Sequence, residues 1–143
     1  MTPPADLHLH LTSDARQLGP VRDSIREWVA AQGWNEMRVA DVVLAADEAL
    51  TNVIRHGYQN EPGKPIDVWL RTMSGPDGGI EIEIRDFGRQ VPLDCICGRD
   101  LDEPRPGGLG VHLIRSLMDE AVYSHAEGGG MRLIMRKHAK GCA

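Results

Sequence analysis

The amino-acid sequence predicts an α+β fold, helices packed on one face of a mixed, mostly antiparallel sheet, and three observations carry that prediction. Hydrophobic periodicities follow one another in the order strand, helix, helix, strand, strand, loop, helix, strand, strand, which sets runs of helix beside runs of strand. The turn signal Pro76-Asp77-Gly78-Gly79 separates two alternating stretches, the mark of an antiparallel hairpin. The length of 143 residues, with 41% hydrophobic and 26% charged side chains, suits one globular domain spanning 1–143. Aromatics are few, three Trp, two Tyr and one Phe, so the core is expected to be aliphatic.

Each element has its own warrant. Leu7, Leu9 and Leu11 alternate with His8 and His10, a short strand whose histidines face solvent or a partner. Ser13 and Asp14 are helix caps, and Val21, Ile25, Trp28 and Val29 recur at helical spacing up to Gly33, with Gly19-Pro20 predicting a restart. Asn35 caps a longer helix that runs to His56 and ends at Gly57; Val39, Val42, Val43, Ala46, Ala49, Leu50, Val53 and Ile54 form its apolar stripe. Ile66, Val68 and Leu70, then Ile80, Ile82 and Ile84, alternate as the two hairpin strands. Periodicity vanishes from Phe87 to Gly110, a length that marks a functional loop or an unrecognised element. Val111, Leu113, Ile114, Leu117 and Met118 mark a third helix, and two strands follow, Ala121 to Ser124 and Met131 to Arg136, joined by Glu127-Gly128-Gly129-Gly130. Trp28 and Trp34 read as core or helix-end packing.

Charge and cysteines exclude several functions. A net charge of −5 offers no field for phosphate backbones or anionic lipid, so neither nucleic acid nor membrane is an expected partner. No apolar run reaches membrane-spanning length and no leader opens the chain, which predicts a cytoplasmic protein. Cys95, Cys97 and Cys142 fit neither a disulfide framework nor a zinc site, and read as reduced thiols.

Three segments could carry chemistry. Glu48 and Asn52 lie four apart on one helix face, opposite the valine stripe, and His56 continues that edge, although polar residues opposite a core stripe are also what any amphipathic helix shows. In Arg85-Asp86-Phe87-Gly88 an isoleucine-rich strand stops in Asp-x-Gly. Such a carboxylate can accept from a ligand amine while glycine admits a planar group, yet Asp and Gly end many strands. Pro106-Gly107-Gly108-Leu109-Gly110-Val111 precedes a helix; its N–H groups and the helix N-terminus suit an anion, and a hinge is the alternative. It lacks the Lys-Ser/Thr of a Walker A loop and the spacing of a dinucleotide fingerprint.

Taken together, the three segments resemble the histidine-kinase-like (GHKL) ATPase superfamily, and within it the small bacterial anti-sigma-factor serine kinases. Asp47-Glu48-Ala49-Leu50-Thr51-Asn52-Val53-Ile54-Arg55-His56-Gly57-Tyr58 resembles that family's N box, Arg85-Asp86-Phe87-Gly88 its first glycine box and Gly107-Gly108-Leu109-Gly110 its second. The resemblance implies a Bergerat-type two-layer sandwich and a Mg²⁺-ATP-dependent serine/threonine-protein kinase that phosphorylates a small anti-sigma-factor antagonist, binds a sigma factor and forms a homodimer. It implies that Glu48 is the general base and that Asn52 holds Mg²⁺ and the phosphates, with His56 beside it. Asp86 would accept from the adenine amino group and Gly88 would let the ring lie close. Gly108, Leu109, Gly110 and Val111 would offer backbone N–H groups to the phosphates. The ATP lid would be about 95–110, with Arg105 as a phosphate contact or a solvated lid arginine, and Arg22 occupies the partner-contact position. One departure stands out: Met131 follows Gly130 where the family commonly has an adenine-binding threonine. A regulatory module that binds nucleotide and sequesters a partner without efficient phosphoryl transfer is the alternative.

Overall fold

The computed structural model describes residues 6–75, 78–90, 92–93 and 108–139. Its strands are β1 (Leu7–Thr12), β2 (Pro65–Thr72), β3 (Ile80–Asp86), β4 (Glu120–His125) and β5 (Met131–Lys137); its helices are α1 (Leu18–Ala30), α2 (Glu36–Asn52) and α3 (Gly108–Leu117). The predicted order of elements is the observed one. The sheet runs β1-β2-β3-β5-β4, and every pairing among the described residues is antiparallel, which corrects the mixed part of the expectation. The crossover through α3 does leave β4 running parallel to β3, but β5 lies between them, so they never pair.

Register explains the core. Leu9 faces Val68, Val68 faces Ile84 and Ile84 faces Leu133, so one face of the sheet is aliphatic across its width. That face is buried with Val21, Ile25 and Val29 of α1, Val42, Ala46 and Leu50 of α2, and Ile114 of α3. Trp28 and Trp34 pack at its margin. The opposite face carries alternating charge: Arg71 bridges Glu81 and Glu83, Arg132 meets Glu83, and Arg136 meets Glu81 and Glu120. His8 and His10 belong to this face, and the partner each finds is internal. Both rings hydrogen-bond Asp67 Oδ1, at 2.9 and 3.0 Å, and His8 stacks on Trp69.

Three helix boundaries differ from expectation, each for a local reason. Asp14 caps a 3-10 turn, Ala15–Gln17, that leads straight into α1, so the helix starts two residues before Pro20 instead of after it. A proline in the first turn costs nothing there, since that N–H has no intrahelical partner. At the end of α2 the helix continues to Gly57, as predicted in extent, but the last five residues, Val53–Gly57, form a π-helical turn. α3 begins at Gly108, so the glycines expected ahead of the helix make its first turn.

Candidate functional site

α2 presents Glu48 and Asn52 half-buried on one face, while Ala45, Ala46, Ala49 and Leu50 are buried on the other. The π-turn that follows adds one residue to the helical repeat, with Tyr58 N donating to Val53 O at 2.9 Å. It carries the chain into the end of β3. There Gly88 lies against Gly57 so closely that a Cβ on residue 88 would sit 2.5 Å from the Gly57 carbonyl oxygen. Arg89 closes the contact, donating from its backbone N to Gly57 O at 3.0 Å and from Nε to His56 O at 2.9 Å. Gly88 is therefore required by backbone packing, a necessity distinct from the ring approach that the resemblance implies.

Asp86, at the last position of β3, is 3% exposed. Its Oδ1 accepts from Gly88 N at 2.9 Å and from Met131 N at 3.3 Å, and Oδ2 accepts from none of the described residues. Burial pushes this carboxyl above its ordinary range, against the two N–H donors and the Arg85 charge, which pull it down. Gly130 makes the approach of β5 possible: a Cβ there would stand 2.1 Å from Asp86 O. Met131 thus serves Asp86 through its main-chain N–H, which any residue but proline supplies, while its side chain is buried. Tyr58 Oη fixes the next peptide, accepting from Phe87 N at 2.7 Å and donating to Pro65 O at 2.6 Å.

Two further groups feel Glu48. Burial lowers the pKa of His56, with Arg55 and Arg89 adding to the effect and Glu48 opposing it, so the imidazole is neutral at pH 7. Burial pushes Tyr123 of β4 up to about 12, with Arg115 opposing and Glu48 reinforcing. Glu48 therefore lies within electrostatic reach of α2's own end and of the edge strand.

The structure brings the helix end bearing Asn52 and His56 against Asp86 and Gly88, and α3, with Gly108, Leu109, Gly110 and Val111 as its first turn, packs on α2. The first N–H groups of an α-helix have no intrahelical acceptor, and a terminus of that kind suits an anion. Arg22 lies apart, between α1 and α2, paired with Asp47 at 3.2 Å and half-exposed. Arg105, most of the lid at 95–110, and the three cysteines lie outside the described residues. Sequence reasoning passed over Tyr58, Arg85, Gln90 and Gly130 as contributors; the first two stood inside quoted motifs, but Tyr58 bonds Phe87 and Pro65 and Arg85 bonds Glu127 and Gly129, contacts that no spacing within the motifs announces.

The sequence model of the histidine kinase-like ATPase domain matches residues 11–137, from the end of β1 to the end of β5. The chain belongs to that family. Among its relatives are the anti-sigma F factor of Geobacillus kaustophilus, 23% identical over 93% of this chain and 92% of that protein, and the serine-protein kinase RsbW of Bacillus thuringiensis, 30% identical over 70% of this chain and 64% of that one. The fold is shared with a crystal structure of RsbU and RsbW domains from Mycobacterium tuberculosis, at a TM-score of 0.61 and 23% identity, covering 95% of this chain and 32% of that one. This likeness confirms the predicted α+β class, which the described residues show as three helices on an open five-stranded sheet.

Proposed function

We propose that this member of the histidine kinase-like ATPase family is a Mg²⁺-ATP-dependent serine/threonine-protein kinase and anti-sigma factor, acting as a single domain on a small anti-sigma-factor antagonist. The observation that carries the reading is the junction at Gly57 and Gly88, which docks the helix bearing Glu48 and Asn52 onto the buried carboxylate of Asp86. The kinase and anti-sigma names of the relatives support it. A module that only binds nucleotide has no use for Glu48, so the retained carboxylate favours phosphoryl transfer over that alternative.

Each residue has a task in this reading. Asp86 accepts from the adenine amino group, because its Oδ2 is not taken up by the described residues. Asn52, with His56 beside it, holds the phosphate side. Among the described residues no group of three His, Cys, Asp or Glu forms a cage for a metal, and an amide oxygen that shares its cation with phosphates and water suits Mg²⁺, which keeps several waters. When bound, the ion would neutralise phosphate charge as the transferred group departs. Glu48 accepts the proton of the attacking serine or threonine hydroxyl. The first-turn amides of α3 and Arg105 of the lid stabilise the phosphates. Arg22 would contact the antagonist or a sigma factor, and a homodimer in the cytoplasm is the working assembly. No described helix is long and apolar enough to cross a membrane.

Incubation with radiolabelled ATP and a purified antagonist tests the reading. The wild type should label the antagonist, and Glu48→Ala should lose transfer by about 10²-fold or more while retaining ATP binding. Equal labelling by wild type and Glu48→Ala would remove Glu48 from the mechanism, and absence of ATP binding by the wild type would remove the whole proposal.

A further inference from the structure

The β4–β5 turn is held from two sides by side chains of the segment around Asp86. Arg85, buried on the charged face of the sheet, donates through Nη1 to Asp86 O and Gly129 O and through Nη2 to Glu127 O, at 2.9 Å for the last. Its guanidinium lies 4.1 Å from the centroid of the Phe87 ring. From the other side of Asp86, Gln90 Nε2 donates to Ala126 O at 3.3 Å and Gly130 O at 3.2 Å. Four carbonyls of the turn, those of Ala126, Glu127, Gly129 and Gly130, thus accept from two side chains, Arg85 two positions before Phe87 and Gln90 three positions after it. The turn leads directly into the residues that touch Asp86: Gly130 against its carbonyl and Met131 N on its Oδ1. A planar fork with five donors suits converging carbonyls in a way that a single ammonium does not.

We propose that Arg85 and Gln90 are positioning residues for purine discrimination: by fixing the β4–β5 turn they hold Met131 N on Oδ1 of Asp86 and so leave Oδ2 facing the base. The inference rests on the reading of Asp86 as the acceptor for the adenine amino group. It separates two parts of nucleotide affinity. The clasp governs which base is preferred, while the phosphate side, built on α2 and α3, is independent of it.

The experiment compares Mg²⁺-ATP with Mg²⁺-ITP, whose base carries a carbonyl in place of the amino group, by calorimetric titration of the full chain. The wild type should prefer ATP by about tenfold or more, the worth of one hydrogen bond to a charged group. Asp86→Asn should abolish that preference. Arg85→Lys keeps the charge but loses the fork, and Gln90→Glu keeps the shape but turns donors into acceptors facing carbonyls. Each should bring the ATP-to-ITP ratio to within about threefold of unity while ITP affinity changes by less than about twofold. If Arg85→Lys does not fold, Gln90→Glu, on an exposed residue, decides alone. A ratio preserved in the folded clasp variants but lost in Asp86→Asn overturns the clasp and leaves Asp86 its role, as does equal loss of both nucleotides. A wild type without preference, or an Asp86→Asn variant that keeps it, overturns the reading of Asp86 and the clasp with it.

Discussion

At its N-terminal end α2 follows local rules. Asn35 Oδ1 accepts from Arg38 N at 2.9 Å, Glu36 sits in the first turn, and the backbone enters the helix from an extended residue. At its C-terminal end the same helix widens into the π-turn Val53–Gly57, where Tyr58 N and Asn60 N close the backbone onto Val53 O and Ile54 O and two glycines, 57 and 88, meet backbone to backbone. The first end needs only residues within three positions of the cap; the second needs β3, β5 and the β4–β5 turn in place. The proposed chemistry sits at the second end. A helix terminus shaped by distant contacts can be held in a conformation that its own sequence would not choose, and a site built there inherits the rigidity of those contacts.

The largest effect that would test this contrast comes from the tertiary end. Gly130→Ala places a methyl 2.1 Å from Asp86 O at a residue whose φ is +77°, so it meets both a steric and a conformational barrier. We expect a loss of about 3 kcal/mol or more in urea unfolding, with ATP affinity falling alongside. Wild-type stability in this variant would mean that the turn is free to move away from Asp86, and that the tight junction is not a fixed feature of the fold.

The difference between the two ends also explains what could be read from the sequence. Asn35, Leu9, Val68, Ile84 and the valines of α2 declare their places through spacing alone, because a cap bonds three residues on and a buried face repeats every second or every three to four residues. The five strands and three helices of the described residues were legible on that basis, and so was the segment type at Glu48, Asn52 and Asp86. The π-turn was not, since Val53–Gly57 continues the helical pattern and only the docking of Gly88 makes the extra residue fit. Nor was the internal pairing of His8 and His10 with Asp67, which depends on the register of β1 against β2. Arg85 stood inside a quoted motif, but two of its three acceptors lie about forty positions away in a turn whose location no spacing rule provides.

An intermediate effect belongs to the local end. Asn35→Ala removes the side-chain acceptor for Arg38 N and should cost about 1 kcal/mol in urea unfolding, with ATP affinity unchanged. A measurable fall in ATP affinity would couple the two ends of α2 and dissolve the distinction between them.

The smallest effect on stability is expected at the residue given the most specific binding role. Burial raises the Asp86 carboxyl above its ordinary range, so folding favours the protonated form. Stability from this group is fully present below the ordinary carboxylate value and is lost as pH rises through the folded one, which means that the ionised carboxylate is a cost at pH 7. Asp86→Asn retains an oxygen that can accept from Gly88 N and Met131 N without carrying charge. Its stability at pH 7 should equal or exceed that of the wild type by up to about 1 kcal/mol, and the gap should close as the pH is lowered toward the ordinary carboxylate range. Urea unfolding of both proteins across that interval reads the sign directly. A variant that is less stable than wild type at neutral pH, or a gap that widens on acidification, would mean that the charge is stabilised by its surroundings and that Asp86 is a structural anchor. The expected outcome instead leaves a buried carboxylate that the fold would be no worse without, retained where the proposed adenine amino group has use for its second oxygen.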